Sequence, residues 1–255
     1  MIVKILDSVF AEVIKESHLQ ISPRWMLDSL AVVVASFNSM EEYERQIMET
    51  FGSFDSMGSG AEGMRFGQKD LLLKSVWFRV PEVNLPSDKV SLLWQNQEPQ
   101  IGLLHLLSGQ EFHLDPTDVR WFDPNTGILI CMTEESLTVA GERLRLRIAE
   151  DFDLLFVDQK LCGWLLSSAE KYLVELWETS YSTEADKELK ALIYESLDLV
   201  SEPNIEKMDN QDPDILQALV DLHSRIKCDY GSVNQRRVLC TWVAEIIERF
   251  YDQRL

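Results

Sequence analysis

The sequence predicts an α+β fold, with a helical N-terminal segment, an antiparallel β-rich middle and an all-helical C-terminal region. Three observations carry that expectation. Apolar residues recur at helical spacing over the first fifty residues, short apolar runs alternate with turn residues from about 71 to 157, and helical spacing returns beyond 158. The implied division is an α+β domain over 1–158 and a helical domain or layer over 159–255.

Taken in order, Ile2, Ile5, Leu6, Val9, Phe10, Val13 and Ile14 follow the i, i+3, i+4 spacing of an amphipathic helix. Ser22-Pro23 reads as an N-cap followed by proline at the first helical position, opening a helix towards Ser36. Ser39-Met-Glu-Glu42 is a capping box for a third helix, and Gly52 stands where its left-handed terminal residue belongs. Helices thus occupy 1–52, and a Gly/Ser-rich loop follows over 52–69.

The middle is expected to hold strands at Leu71–Val80, Val90–Gln95, Ile101–Leu107, Val119–Phe122, Gly127–Met132, Leu137–Ala140, Leu144–Ile148 and Phe152–Val157. Asp123-Pro-Asn-Thr-Gly127 is the clearest turn, since proline presets φ and glycine accepts a positive one. Arg143, Arg145 and Arg147 alternate with Leu144, Leu146 and Ile148, so one strand face is cationic and the other apolar. In an acidic protein these arginines are expected to meet carboxylates on neighbouring strands.

In the last part Leu161, Trp164, Leu165, Leu173, Leu176 and Trp177 form one helical stripe, and Glu184 to Val200 a second helix. A polar connection spans 201–214. Asp214 caps a helix through Ile226, and Val238, Leu239, Trp242, Val243, Ile246, Ile247 and Phe250 define the final one.

Charge bounds the function. The chain has 43 acids against 24 Lys and Arg, a formal net charge of −19. Both parts share the excess, which repels nucleic-acid phosphates and anionic lipid and favours a basic protein partner. With 45% apolar residues the chain is globular. No apolar run reaches the roughly 18–20 residues that span a bilayer, and no secretory signal opens the chain. Cys131, Cys162, Cys228 and Cys240 form no CxxC pair and sit among apolar neighbours, as reduced thiols do, which places the protein in the cytoplasm.

Catalytic motifs are sparse. Gly58-Ser-Gly60-Ala-Glu-Gly63 matches the dinucleotide fingerprint in letters, but a helix precedes it and strands follow, the reverse of what pyrophosphate binding needs. His105, Glu111, His113 and Asp115 are the only cluster with metal-ligand chemistry, and they support an alternative reading as a metal-dependent enzyme. Cys228 and His223 lie five apart, which misses helical neighbour spacing. Asp209 to Asp214 lacks the glycine and glutamate of a calcium loop. Most of the seven tryptophans are expected in the core, with Trp94 and Trp121 the more exposed pair.

The leading expectation is a non-enzymatic, cofactor-free, acidic intracellular binding protein. An inhibitor or immunity-type protein covering a basic partner surface has this profile. Its binding surface is expected on acidic helices at 170–178, 184–198 and 202–214, through Glu170, Glu175, Glu178, Glu184, Glu188, Glu195, Asp198, Asp212 and Asp214.

Overall fold

The computed structural model describes residues 1–54, 61–85, 88–178, 187–227 and 234–253. It is a mixed α and β fold, with two large sheets and, among the described residues, six α-helices gathered mostly towards the C-terminus. The strands are β1 (Ile2–Leu6), β2 (Val9–Lys15), β3 (Arg24–Met26), β4 (Ala31–Val34), β5 (Thr50–Ser53), β6 (Gly63–Gly67), β7 (Leu73–Arg79) and β8 (Val83–Asn84). They continue with β9 (Gln100–Leu106), β10 (Val119–Phe122), β11 (Leu129–Met132), β12 (Arg143–Ala149), β13 (Phe152–Val157), β14 (Lys160–Leu166) and β15 (Leu173–Val174). The helices are α1 (Met40–Glu49), α2 (Asp88–Gln95), α3 (Lys187–Leu199), α4 (Asn204–Asp209), α5 (Pro213–Lys227) and α6 (Asn234–Tyr251).

The larger sheet runs β1-β2-β9-β12-β13-β14-β11-β10-β8, and β1 also pairs in parallel with β14 at Lys4 and Lys160. That extra pairing closes six strands into a ring. The smaller sheet runs β15-β3-β4-β7-β6-β5. Phe78 of β7 stacks on Phe152 and Trp164 of the ring, with centroids 6.1 and 6.2 Å away, so the two sheets share one core. Apolar faces of α3, α5 and α6 complete that core through Leu189, Ile193, Leu219, Leu222, Leu239 and Ile247.

The N-terminal helices of the sequence reading are strands, except for α1. Over residues 2–14 the helical spacing coincides with alternation on either side of a turn at Asp7-Ser8: Val3, Ile5, Val9, Ala11 and Val13 point inward. Ile2, Val3, Ile5, Val9, Val13 and Ile14 are β-branched, and their stiff side chains fit a pleated surface better than a helix. Residues 31–34 are a fully buried Ala-Val-Val-Val strand, so Ser22-Pro23 opens no helix. The capping box at Ser39 is present: its hydroxyl accepts from Glu42 N at 3.3 Å, and Glu42 Oε2 accepts from Asn38 N at 2.7 Å. Gly52, with φ 126°, lies inside β5, and Thr50 terminates α1.

In the middle, the strands expected at 71–80, 101–107, 119–122, 127–132, 144–148 and 152–157 are found, with small shifts at their ends. Val90–Gln95 is instead helical and buries Ser91 and Trp94, three apart, on one face. No strand forms at Leu137–Ala140, which follows a 3-10 turn over Glu134–Leu137. The helical stripe expected from Leu161 to Trp177 is instead β14, a 3-10 turn over Ala169–Tyr172 and β15; β14 sits between β13 and β11 and is buried on both faces. Its continuous apolar run is what a strand covered on both sides requires. Among the described residues the C-terminal run of helices opens with α3 at Lys187, and the boundary near 158 falls in the β13–β14 hairpin. The expected polar connection at 201–214 contains α4.

Two buried arginines tie the layers together. Arg120 of β10 donates to the carbonyls of Leu197 and Val200 at the end of α3, and to Asn84 Oδ1 at 3.0 Å. A cation there offsets the negative end of the helix dipole. Arg24 of β3 donates to Phe37 O at 2.7 Å, Trp177 O at 2.8 Å and Ala35 O at 3.1 Å.

Candidate partner-binding surface

The acidic helix faces expected to bind a partner are largely engaged within the fold. Glu170 is 2% exposed and lies 3.5 Å from Lys190, and burial raises its carboxyl above the usual range. It belongs to a short 3-10 turn over Ala169–Tyr172, not to an exposed helix. Glu175 pairs with Arg237, Glu188 with Arg236 at 2.7 Å, and Glu195 with Arg225. Asp198 accepts from Asn84 at 3.4 Å. Asp212, not Asp214, caps α5, with its Oδ1 accepting from Asp214 N and Ile215 N. Glu178 is exposed and accepts from Glu175 N at 3.2 Å. Glu184 lies outside the described residues.

The metal alternative does not assemble. Glu111 Oε2 accepts from Gly52 N at 3.1 Å and from the buried Arg65 guanidinium at 3.0 Å. His113 Nε2 lies 3.3 Å from Asp115 Oδ1 on the surface, and His105 sits on β9 opposite Glu12. Among the described residues no three His, Cys, Asp or Glu side chains converge to hold a metal ion. Residues 58–60 of the glycine motif and Cys228 lie outside the described residues. Gly63 opens β6, so the glycines lead into a strand. Cys131, Cys162 and Cys240 are buried and unbridged, and burial pushes the Cys162 thiol up to about 12. Trp94 is fully buried in α2, with Arg143 over its ring at 5.8 Å, while Trp121 is half-buried. Arg145 and Arg147 both pair with Asp153 of β13, the cross-strand carboxylate expected for that row.

A different surface emerges on the outer face of β1, β2 and β9. Ile2 opposes Glu12, which opposes His105; Lys4 opposes Phe10; Ile14 opposes Leu103. Leu107 N donates to Phe10 O at 3.0 Å, which brings Leu107 beside the same row. Ile2, Phe10, Ile14, Ile101 and Leu107 are 38 to 52% exposed. Five large apolar side chains on one open sheet face exceed the scattered exposure normal for a surface. The ladder places Glu12 among them, its carboxylate without an ion pair among the described residues, while Lys4 is neutralised by Asp7 at 2.8 Å. The fold forces this arrangement, because the ring fills its interior with the opposite parity of the same strands.

Sequence reasoning missed this face by assigning 2–14 to a helix. Its signal was present: β2 is apolar at both parities, which a half-exposed strand does not need. Protein-family models, curated proteins and solved structures give no match to this chain. Among the described residues no helix is long and apolar enough to cross a membrane.

Proposed function

We propose that this chain is a non-catalytic intracellular binding protein that docks a basic partner on the outer face of β1, β2 and β9, in the manner of an inhibitor or immunity protein. The observation that carries this reading is Glu12 set among exposed Ile2, Phe10, Ile14 and Leu107. Apolar anchors around a single carboxylate exclude water when covered, and a charge pair formed there is stronger than one at an exposed rim. The net charge of −19 steers a cationic partner towards the molecule from a distance. The three buried, unbridged thiols support a reducing compartment.

The test is capture of the tagged chain from its own cells at low and moderate salt, in parallel with Phe10→Asp and Glu12→Gln. The expected result is one basic protein recovered near one-to-one, weakened by salt and lost with Phe10→Asp. Truncating a central aromatic anchor of this kind typically costs 2 kcal/mol or more, roughly thirtyfold in affinity. Recovery of the chain alone, or of a partner unaffected by both substitutions, defeats the proposal.

A further inference from the structure

Helix α1 lies over the outer face of the smaller sheet, yet none of its residues is buried. Its attachment is mostly polar: Ser75 Oγ donates to Gln46 Oε1 at 3.2 Å, Arg65 to Ile47 O at 3.2 Å and Gln68 Nε2 to Met48 O at 2.9 Å, while Tyr43 packs its ring against Phe37 and Trp77. Between helix and sheet remains a cavity of about 370 Å³. That is within the range of small-molecule sites.

The lining is chemically specific. Phe37, Tyr43, Trp77 and Trp177 form one aromatic wall, with centroids 5.2 to 6.3 Å apart. The Trp177 backbone is fixed by Arg24, so the wall is preorganised. Two arginines also line the space, and they differ. Arg65 is saturated by Thr50 Oγ1, the carbonyls of Gly52, Ile47 and Thr50, and Glu111. It stiffens the floor and has no donor to spare. Arg79, at the end of β7, is exposed, and among the described residues no hydrogen bond or ion pair engages its guanidinium. Its charge lowers the Glu62 carboxyl, but burial outweighs that and pushes the group up to about 8, which makes Glu62 a weak partner for the guanidinium.

A guanidinium with no hydrogen bond or ion pair among the described residues, beside an aromatic wall, is unusual in a chain with 43 acids available. The wall alone suits any flat ring, including an organic cation. Arg79 opposes a cation and offers a planar fork that matches a carboxylate. We propose that the cavity beneath α1 binds a small, flat aromatic carboxylate, with its ring against Trp77 and Trp177 and its carboxylate on Arg79. This site is separate from the β1–β2–β9 face and does not depend on what docks there.

The experiment titrates the full chain with naphthoate, followed by tryptophan fluorescence and calorimetry, beside uncharged naphthamide and cationic trimethylanilinium. Arg79→Gln is the diagnostic variant, since its guanidinium holds no hydrogen bond or ion pair among the described residues, and an unchanged melting temperature verifies its fold. Naphthoate is expected to saturate at or below millimolar concentration, and naphthamide to bind at least ~10-fold more weakly, as loss of a charge-assisted hydrogen-bond pair implies. Arg79→Gln is expected to lose the same ~10-fold for naphthoate while leaving naphthamide unchanged. Absence of saturable naphthoate binding, equal affinity in Arg79→Gln, or tighter binding of trimethylanilinium each overturns the proposal.

Discussion

Replacing Glu62 by Gln should remove a pH dependence of stability that the fold imposes on itself. The Glu62 side chain is buried beside β6, where its Oε1 accepts from Thr117 N at 3.1 Å and Thr117 Oγ1 at 3.3 Å. Those bonds favour the carboxylate, but desolvation outweighs them and pushes the group from 4.5 up to about 8. A folded-state value above the unfolded one means that the native chain holds the proton more tightly. The contribution is fully present below about pH 4.5 and is lost as pH rises through about 8. At 1.36 kcal/mol per pH unit, the interval corresponds to about 5 kcal/mol, a large share of a domain's net stability. Urea unfolding of wild type and Glu62→Gln at about pH 5 and about pH 9 measures it. Self-repulsion of the acidic surface changes with pH equally in both proteins and cancels in their difference. Gln keeps the acceptor for Thr117 and never ionises, so the variant should gain on wild type by several kcal/mol at the higher pH. A difference between the two proteins that stays constant with pH refutes the argument.

Two further substitutions test backbone geometry. Gly127, with φ +74°, closes the Asp123–Gly127 turn, and a Cβ there would meet Glu170 Oε2 at 2.1 Å. Gly127→Ala should therefore destabilise by roughly 2 kcal/mol or more, seen as a lower urea midpoint with an unchanged slope. Asp158 and Gln159 both take positive φ, 47° and 66°, in the two-residue turn between β13 and β14. Gln159→Gly should raise stability by about 0.5–1 kcal/mol and the melting temperature by a few degrees, because glycine accepts the left-handed conformation without strain.

What the sequence disclosed was local. Ser39 with Glu42, the Asp123–Gly127 turn, Val119–Phe122 and the alternating Arg143, Arg145 and Arg147 each carry their signal within a few residues. Residues 2–14 misled because a seven-residue pattern of 2, 5, 6, 9, 10, 13 and 14 satisfies helical spacing and two alternating strands alike. Strand β14 misled because burial on both faces erases alternation. The candidate site was less legible than the fold. Whether Glu175, Glu188 and Glu195 are free depends on Arg237, Arg236 and Arg225, which approach from separate segments. The Glu12 face likewise needs β9 beside β2, a pairing across about ninety residues of intervening chain that no local periodicity encodes.

The pairing of Lys4 with Lys160 has a consequence for the growing chain. β1 finds β2 within a few residues, but its other edge has no partner until β14 has been synthesised. At about 5–20 residues per second, that strand edge waits on the order of ten to thirty seconds at the ribosome. During that interval it presents unpaired amides next to Ile2 and Ile5, which makes it a surface for chaperones and a starting point for aggregation when translation stalls.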